Sequence, residues 1–134
     1  MSIFIASDHA GFELKEYLQT QFNLLDLGTH STESCDYPVF AKMLCSQMKE
    51  GDKGILICGT GIGMSIAANR FRNIRAALCF NEEMATLARQ HNDANILVLG
   101  ARIISPETDK NCVEKFLDTD FEGGRHQRRV ESMD

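Results

Sequence analysis

The spacing of apolar residues switches repeatedly between two periods along this chain, and that alternation restricts the fold more than any single motif. Ser2–Ala6, Leu24–Leu27, Gly54–Cys58, Arg75–Cys79 and Asn95–Leu99 are short aliphatic-rich runs with the length and composition of buried strands. Between them apolar residues recur every three or four positions, as in Leu14, Tyr17, Leu18 and Phe22, or Val39, Phe40, Met43, Leu44 and Met48. That spacing lines one face of a helix. Further helices are predicted over Gly63–Phe71, Glu82–Arg89 and Pro106–Leu117. Asp36 ahead of Pro38, and Ser105 ahead of Pro106, carry the polar cap and early proline that start helices. Strands and helices in alternation imply right-handed βαβ units. The expected fold is α/β, a Rossmann-like three-layer sandwich around a parallel sheet of about five strands. The 134 residues fit one domain spanning positions 1–134, and a 43% hydrophobic content can fill its core without metal or disulfide staples.

Charge and cysteine content narrow the partners. A net charge of −5 disfavours nucleic acids and anionic membranes as binding surfaces. No apolar run reaches the ~18–20 residues of a membrane span, and the N-terminus lacks a secretion pattern, so a soluble cytoplasmic protein is expected. The five cysteines, Cys35, Cys45, Cys58, Cys79 and Cys112, form no C-x-x-C pair. In a reducing compartment most should act as small buried hydrophobes, Cys45 and Cys112 above all because they fall within amphipathic helix patterns. An anionic ligand would need a local basic cluster, and Gly123-Gly124-Arg125-His126-Gln127-Arg128-Arg129-Val130 is the one dense example. It lacks the interleaved aromatics of a base-stacking surface, and arginine forks suit a small phosphorylated ligand better than RNA.

Ligands of open α/β sheets bind beyond the C-terminal strand ends. The first strand runs into Asp8-His9, the third into Cys58-Gly59-Thr60-Gly61-Ile62-Gly63, and the fifth into Gly100-Ala101-Arg102. The glycine-rich segment is neither a dinucleotide fingerprint nor a phosphatase loop, because Met64 stands where each needs another residue, and no Gly-Lys-Ser/Thr follows to make a nucleotide P-loop. It remains an anion or oxyanion cradle that begins with a thiol, and backbone N–H groups near Cys58 could suit it to act as base or nucleophile. On the residues alone, Asp8-His9 reads equally as a helix-start cap, His91 as a solvated loop side chain, and His30 as loop.

Together, Asp8-His9-Ala10-Gly11, the Cys58–Gly63 segment, Ser65-Ile66-Ala67-Ala68-Asn69, Arg89-Gln90-His91-Asn92-Asp93-Ala94-Asn95 and the segment from Gly123 to Val130 resemble the type B ribose-5-phosphate isomerase family. The resemblance runs from Ser2 to about Val130. It implies interconversion of an aldose phosphate and its ketose through a cis-enediolate, within the pentose phosphate pathway, with no metal or organic cofactor. Residue by residue, it implies that Cys58 is the base between C2 and C1, with Thr60 near it. Gly59, Thr60, Gly61, Ile62 and Gly63 would hold the enediolate. His91, assisted by Asp8, would open the furanose ring, and Asn92 would contact a sugar hydroxyl. His9, Arg125 and Arg129 would bind phosphate, and Arg102 would be a further substrate-binding arginine. Some relatives carry a glutamate base where Met64 stands here, so Cys58 has no carboxylate rival.

One expectation comes from topology. Cys58 and Arg102 belong to the C-terminal edge of the sheet, whereas His91 precedes the fifth strand and belongs to the opposite edge. A strand of five residues spans roughly 16 Å, far beyond hydrogen-bond reach. His91 is therefore expected to serve the Cys58 site of a second subunit, in a homodimer with shared sites or in a tetramer built from such dimers. The resemblance agrees. The alternatives are an isomerase of a six-carbon sugar phosphate, such as allose 6-phosphate or galactose 6-phosphate, and a sugar-phosphate-binding regulator without activity. Cys58, Thr60 and His91 argue against the regulator, since binding alone needs no base.

Overall fold

The computed structural model describes residues 1–134. Its elements run β1 (Ile3–Ser7), a 3-10 turn (His9–Gly11), α1 (Phe12–Gln21), β2 (Leu25–Asp26), α2 (Tyr37–Gln47), β3 (Lys53–Cys58), α3 (Ile62–Ala68), β4 (Ala76–Leu78), α4 (Glu82–Asn92), β5 (Ile96–Gly100), α5 (Pro106–Asp118) and α6 (Arg125–Glu131). All five strands are parallel, in the order β2-β1-β3-β5-β4. The predicted three-layer α/β sandwich is thus the observed one. No helix is long and apolar enough to cross a membrane.

Side chains alternate across each strand, and the two faces feed two separate cores. Ile5, Ile55, Ile57, Leu97 and Leu99 meet Leu18 of α1, Ala85 and Ala88 of α4, and Cys112, Val113 and Phe116 of α5. On the other face, Ala6, Leu56, Cys58, Ile96 and Val98 meet Leu44 and Cys45 of α2 and Met64 and Ala68 of α3. Strands buried on both sides explain why these runs read as continuous aliphatic stretches. The connection after β1 turns to the first layer and the one after β3 to the second. Such a divergence between neighbouring strands opens a crevice at their C-terminal ends, beside Asp8 and Cys58.

Helix starts follow the sequence signals in part. Ser105 caps α5 by accepting from the Thr108 N–H at 3.2 Å, with Pro106 as its first residue, as predicted. Asp36 occupies the cap position of α2, but its side chain makes no capping bond. The 123–130 basic segment is a helix rather than a tail: His126 and Val130, four positions apart, are buried, and α6 packs on α4.

Candidate active site

Two adjacent strand ends begin the site. The Asp8 N–H donates to the Ile57 carbonyl at 3.2 Å, so Asp8 lies beside the residue that precedes Cys58. Its buried carboxylate accepts from the N–H groups of Ala10 (3.0 Å) and Gly11 (3.2 Å), which makes it the cap of the 3-10 turn. That turn needs glycine at position 11, where a Cβ would lie 2.6 Å from Ile57 Cγ2. His9 follows, half-buried, and its Nδ1 accepts from the Cys35 N–H at 3.2 Å. This bond leaves Nε2 as the ring's remaining polar atom.

Cys58 ends β3 and is 5% exposed. Its Sγ accepts from the Gly61 N–H at 3.2 Å, a bond that negative charge on sulfur strengthens. The loop can double back this tightly because Gly61 takes a left-handed φ of +81°, and a Cβ there would lie 2.4 Å from Leu78 Cδ1. The first intrahelical bond of α3 runs from the Ser65 N–H to the Gly61 carbonyl at 3.0 Å. The N–H groups of Ile62, Gly63 and Met64 therefore lie ahead of the helical ladder, and Thr60 Oγ1 accepts that of Ile62 at 3.2 Å. The β5 end is laced to the same loop, since the Arg102 N–H donates to the Gly59 carbonyl at 2.9 Å. The exposed Arg102 side chain folds over Gly59, where a Cβ would sit 3.0 Å from its Nη1.

Tyr37, absent from the sequence-predicted set, belongs here too. Its ring lies against Gly63, so close that a Cβ there would be 2.5 Å from the ring and 2.8 Å from the hydroxyl oxygen. A half-exposed tyrosine before Pro38 gives a signal in sequence only once Gly63 is known to face α2.

The remaining predicted residues gather elsewhere. His91 is not in a loop: it lies in the last turn of α4, partly exposed, with Asn92 as the final helical residue. Its imidazole stacks on that of His126, centroids 4.3 Å apart and planes 17° from parallel. Burial, His91 and Arg125 hold the His126 pKa below the usual histidine value, against the opposing pull of Glu122. Arg125 and Arg129, one turn apart on α6, are exposed and form no ion pair. Both groups stand at the N-terminal edge of the sheet, because α4 runs back antiparallel to the strands before β5 begins. Register pairs Gly54 with Ile96 at that edge and Cys58 with Gly100 at the other, about 13 Å apart along the strands. One chain thus brings together Asp8, His9, Cys58, Gly59–Gly63 and Arg102 at one edge. It brings together His91, Asn92, Arg125 and Arg129 at the other.

Cavity size does not locate this chemistry. A concavity of about 790 Å³ at the N-terminal edge is lined by Lys53, Arg75, Arg89, Asp93 and Asn95, and none of the predicted site residues borders it. A second, of about 660 Å³, includes Asn92 but not Cys58. Convergent polar groups mark the site better than volume does.

Comparison with known proteins points the same way. Residues 3–133 match a family model described as Ribose/Galactose Isomerase. The chain is 45% identical to ribose-5-phosphate isomerase B of Escherichia coli K12, over 94% of this chain and 89% of that protein. A crystal structure of a ribose 5-phosphate isomerase from Thermotoga maritima superposes with a TM-score of 0.95 at 54% identity, covering 99% of this chain and 97% of that one. The enzyme from Mycoplasma genitalium, solved with bound ribulose-5-phosphate, superposes with a TM-score of 0.93 at 44% identity, over 98% and 93% of the two chains.

Proposed function

The chain belongs to the ribose/galactose isomerase family, and from that premise we propose that it interconverts ribose 5-phosphate and ribulose 5-phosphate, with Cys58 as the base. The observation that carries this reading is the Cys58 thiol at a strand end, sealed by the Gly61 N–H at 3.2 Å and followed at once by the start of α3, whose Gly63 and Met64 N–H groups precede the helical ladder. Aldose–ketose isomerisation needs those two things side by side: a base over the carbon next to the carbonyl, and fixed donors where the oxyanion grows.

The Cys58 thiolate takes the proton from C2 of the open-chain aldose. The electron pair moves to form the C1–C2 enediolate, and those N–H groups of the Gly59–Gly63 segment that Cys58 and Thr60 do not engage hold its oxygens, with Thr60 beside them. A proton passes from the C2 hydroxyl to the C1 oxygen of the enediolate, and protonation of C1 by the Cys58 thiol then completes the ketose and regenerates the thiolate. No proton or electron is left over. Arg102 and His9 of the same chain, with Arg125 and Arg129 of the partner subunit, bind the phosphate end. His91 of the partner subunit, assisted by Asp8, opens the furanose ring, since histidine exchanges protons near neutral pH. Asn92 of the partner subunit contacts a sugar hydroxyl. The division between subunits rests on the opposite edges that Cys58 and His91 occupy within one chain, and the unit of function is a dimer.

A kcat/KM panel over ribose 5-phosphate, allose 6-phosphate and galactose 6-phosphate, with Cys58→Ala as the blank, tests the reading. Turnover of ribose 5-phosphate that falls by about 10³-fold or more in Cys58→Ala, while phosphate-ligand binding persists, is expected for a base removed from the chemical step. Preference for a six-carbon substrate would overturn the substrate assignment. Silence on all three by folded protein would overturn the activity.

A further inference from the structure

One cluster of ligating side chains is organised beyond what ring opening requires. His91 and His126 stack face to face at 4.3 Å, and the Glu122 carboxylate stands 3.7 Å from His126 Nε2. The ligand atoms of all three residues lie within 4.8 Å of one another. The backbone holds them there: the Glu122 N–H donates to the Gln90 carbonyl at 3.1 Å, tying the approach to α6 onto the last turn of α4. His126 is 8% exposed, so its ring is fixed by packing, while Glu122 is exposed and free to swing.

We propose that His91, Glu122 and His126 form a binding site for a divalent transition metal of the Zn²⁺ class, an inhibitory site that takes up the His91 imidazole. The consequence for turnover rests on the ring-opening role given to His91 above. Two imidazoles and one carboxylate are the donor set of three-ligand zinc sites, which keep a fourth position for water. Mg²⁺ and Ca²⁺ are not matched, since both want oxygen ligands. Ligand atoms around tetrahedral zinc at about 2.0–2.1 Å stand about 3.4 Å apart. The observed spread of 4.8 Å closes when Glu122 swings in and the partly exposed His91 ring turns out of the stack toward His126 Nε2. Arg125 and Arg129 on the same helix oppose the ion and Glu122 favours it, so the affinity falls short of a structural zinc site. An opening that admits a sugar phosphate also admits a hydrated ion.

The test is Zn²⁺ binding to the full-length protein by competition with a chromophoric chelator, with Co²⁺ spectra on the same samples. One ion per chain is expected. Glu122→Gln and His126→Asn, with melting temperatures checked against the parent, should each weaken binding by about tenfold or more. Cys35→Ser and Cys58→Ala should not, and the Co²⁺ spectrum should lack a thiolate charge-transfer band. Unchanged affinity in both Glu122→Gln and His126→Asn, binding that disappears with either cysteine, or a thiolate band would overturn the site. Turnover should fall as Zn²⁺ binds and return on chelation. Binding of the expected kind with undiminished turnover would uphold the site and overturn the role of His91 instead, so the two ideas fail separately.

Discussion

Cys45, Cys79 and Cys112 occupy the core, where burial pushes their thiols up to about 11, 12 and 11. They are kept neutral by the interior that they help to fill. Cys58 is as buried as these, yet it sits at a strand end with a backbone N–H on its sulfur, so position rather than exposure separates the proposed base from the core thiols. The same sensitivity to surroundings makes Asp109 of α5 a liability. It is fully buried, neither carboxylate oxygen has a hydrogen-bond partner, and burial pushes its pKa from 3.8 up to about 7. Between those two values the folded protein holds a proton that the unfolded chain releases. Stability therefore declines as pH rises through that window and levels off above it. Asparagine stays neutral, so Asp109→Asn should stabilise the protein by roughly 1–3 kcal/mol at pH 8 and by less at pH 5. Urea unfolding at the two pH values checks this, and an equal effect at both would show that charge is not the cause.

At the scale of elements, the half of the site at the C-terminal strand edge was legible in sequence because local chemistry builds it. Glycines that must double back, a thiol at a strand end and a capping aspartate are each constrained within a few residues. The strands shifted by only a residue or two, as for β5, read as Asn95–Leu99 and found at Ile96–Gly100. What stayed hidden depends on distant packing. Seven residues with three arginines and no apolar stripe do not announce a helix, and α6 forms because His126 and Val130 dock on α4. The Lys15–Asp26 pair was equally invisible, since nothing local says that a lysine on α1 will be buried against β2. Its Nζ donates to both Asp26 oxygens at 2.7 Å. Burial raises the Asp26 pKa, but Lys15 and the Gly28 N–H outweigh it and leave the pKa below the usual value. The stability this lends is present above the ordinary carboxylate pKa and is lost as pH falls through the folded one. Lys15→Met strands the carboxylate and should cost about 3 kcal/mol at pH 7, and less in acid, by denaturant unfolding. On α6, replacing Arg125 and Arg129 together by Ala should raise KM with a smaller change in kcat, as expected where phosphate is held equally in ground and transition states. A fall in kcat at unchanged KM would contradict that.

Under the proposed roles, the whole molecule presents two incomplete half-sites at opposite edges of one sheet. The thiol and its donor-lined turn have no ring-opening group, and the His91 edge has no base. Folding cannot close a gap of about 13 Å spanned by rigid, paired strands, but a two-fold interface can, because the same surface patch then supplies each partner with what it lacks. Exposed Ile62 and Ile66 on α3, directly after the Cys58 loop, are apolar side chains for such an interface to cover. A shared site makes a prediction that no single-chain site can meet. Cys58→Ala and His91→Ala proteins should each be inactive toward cyclic substrate alone. A dimer with one chain of each kind rebuilds one intact site, from the Cys58 of one chain and the His91 of the other. Random exchange makes about half of all dimers mixed, each with one working site of two. An equimolar mixture should then recover about a quarter of the parent activity. The measurement is turnover of the mixture after exchange has been verified with differently tagged chains. Full exchange with no recovery would mean that Cys58 and His91 act within one chain, and the fold would then have to bring its two edges together.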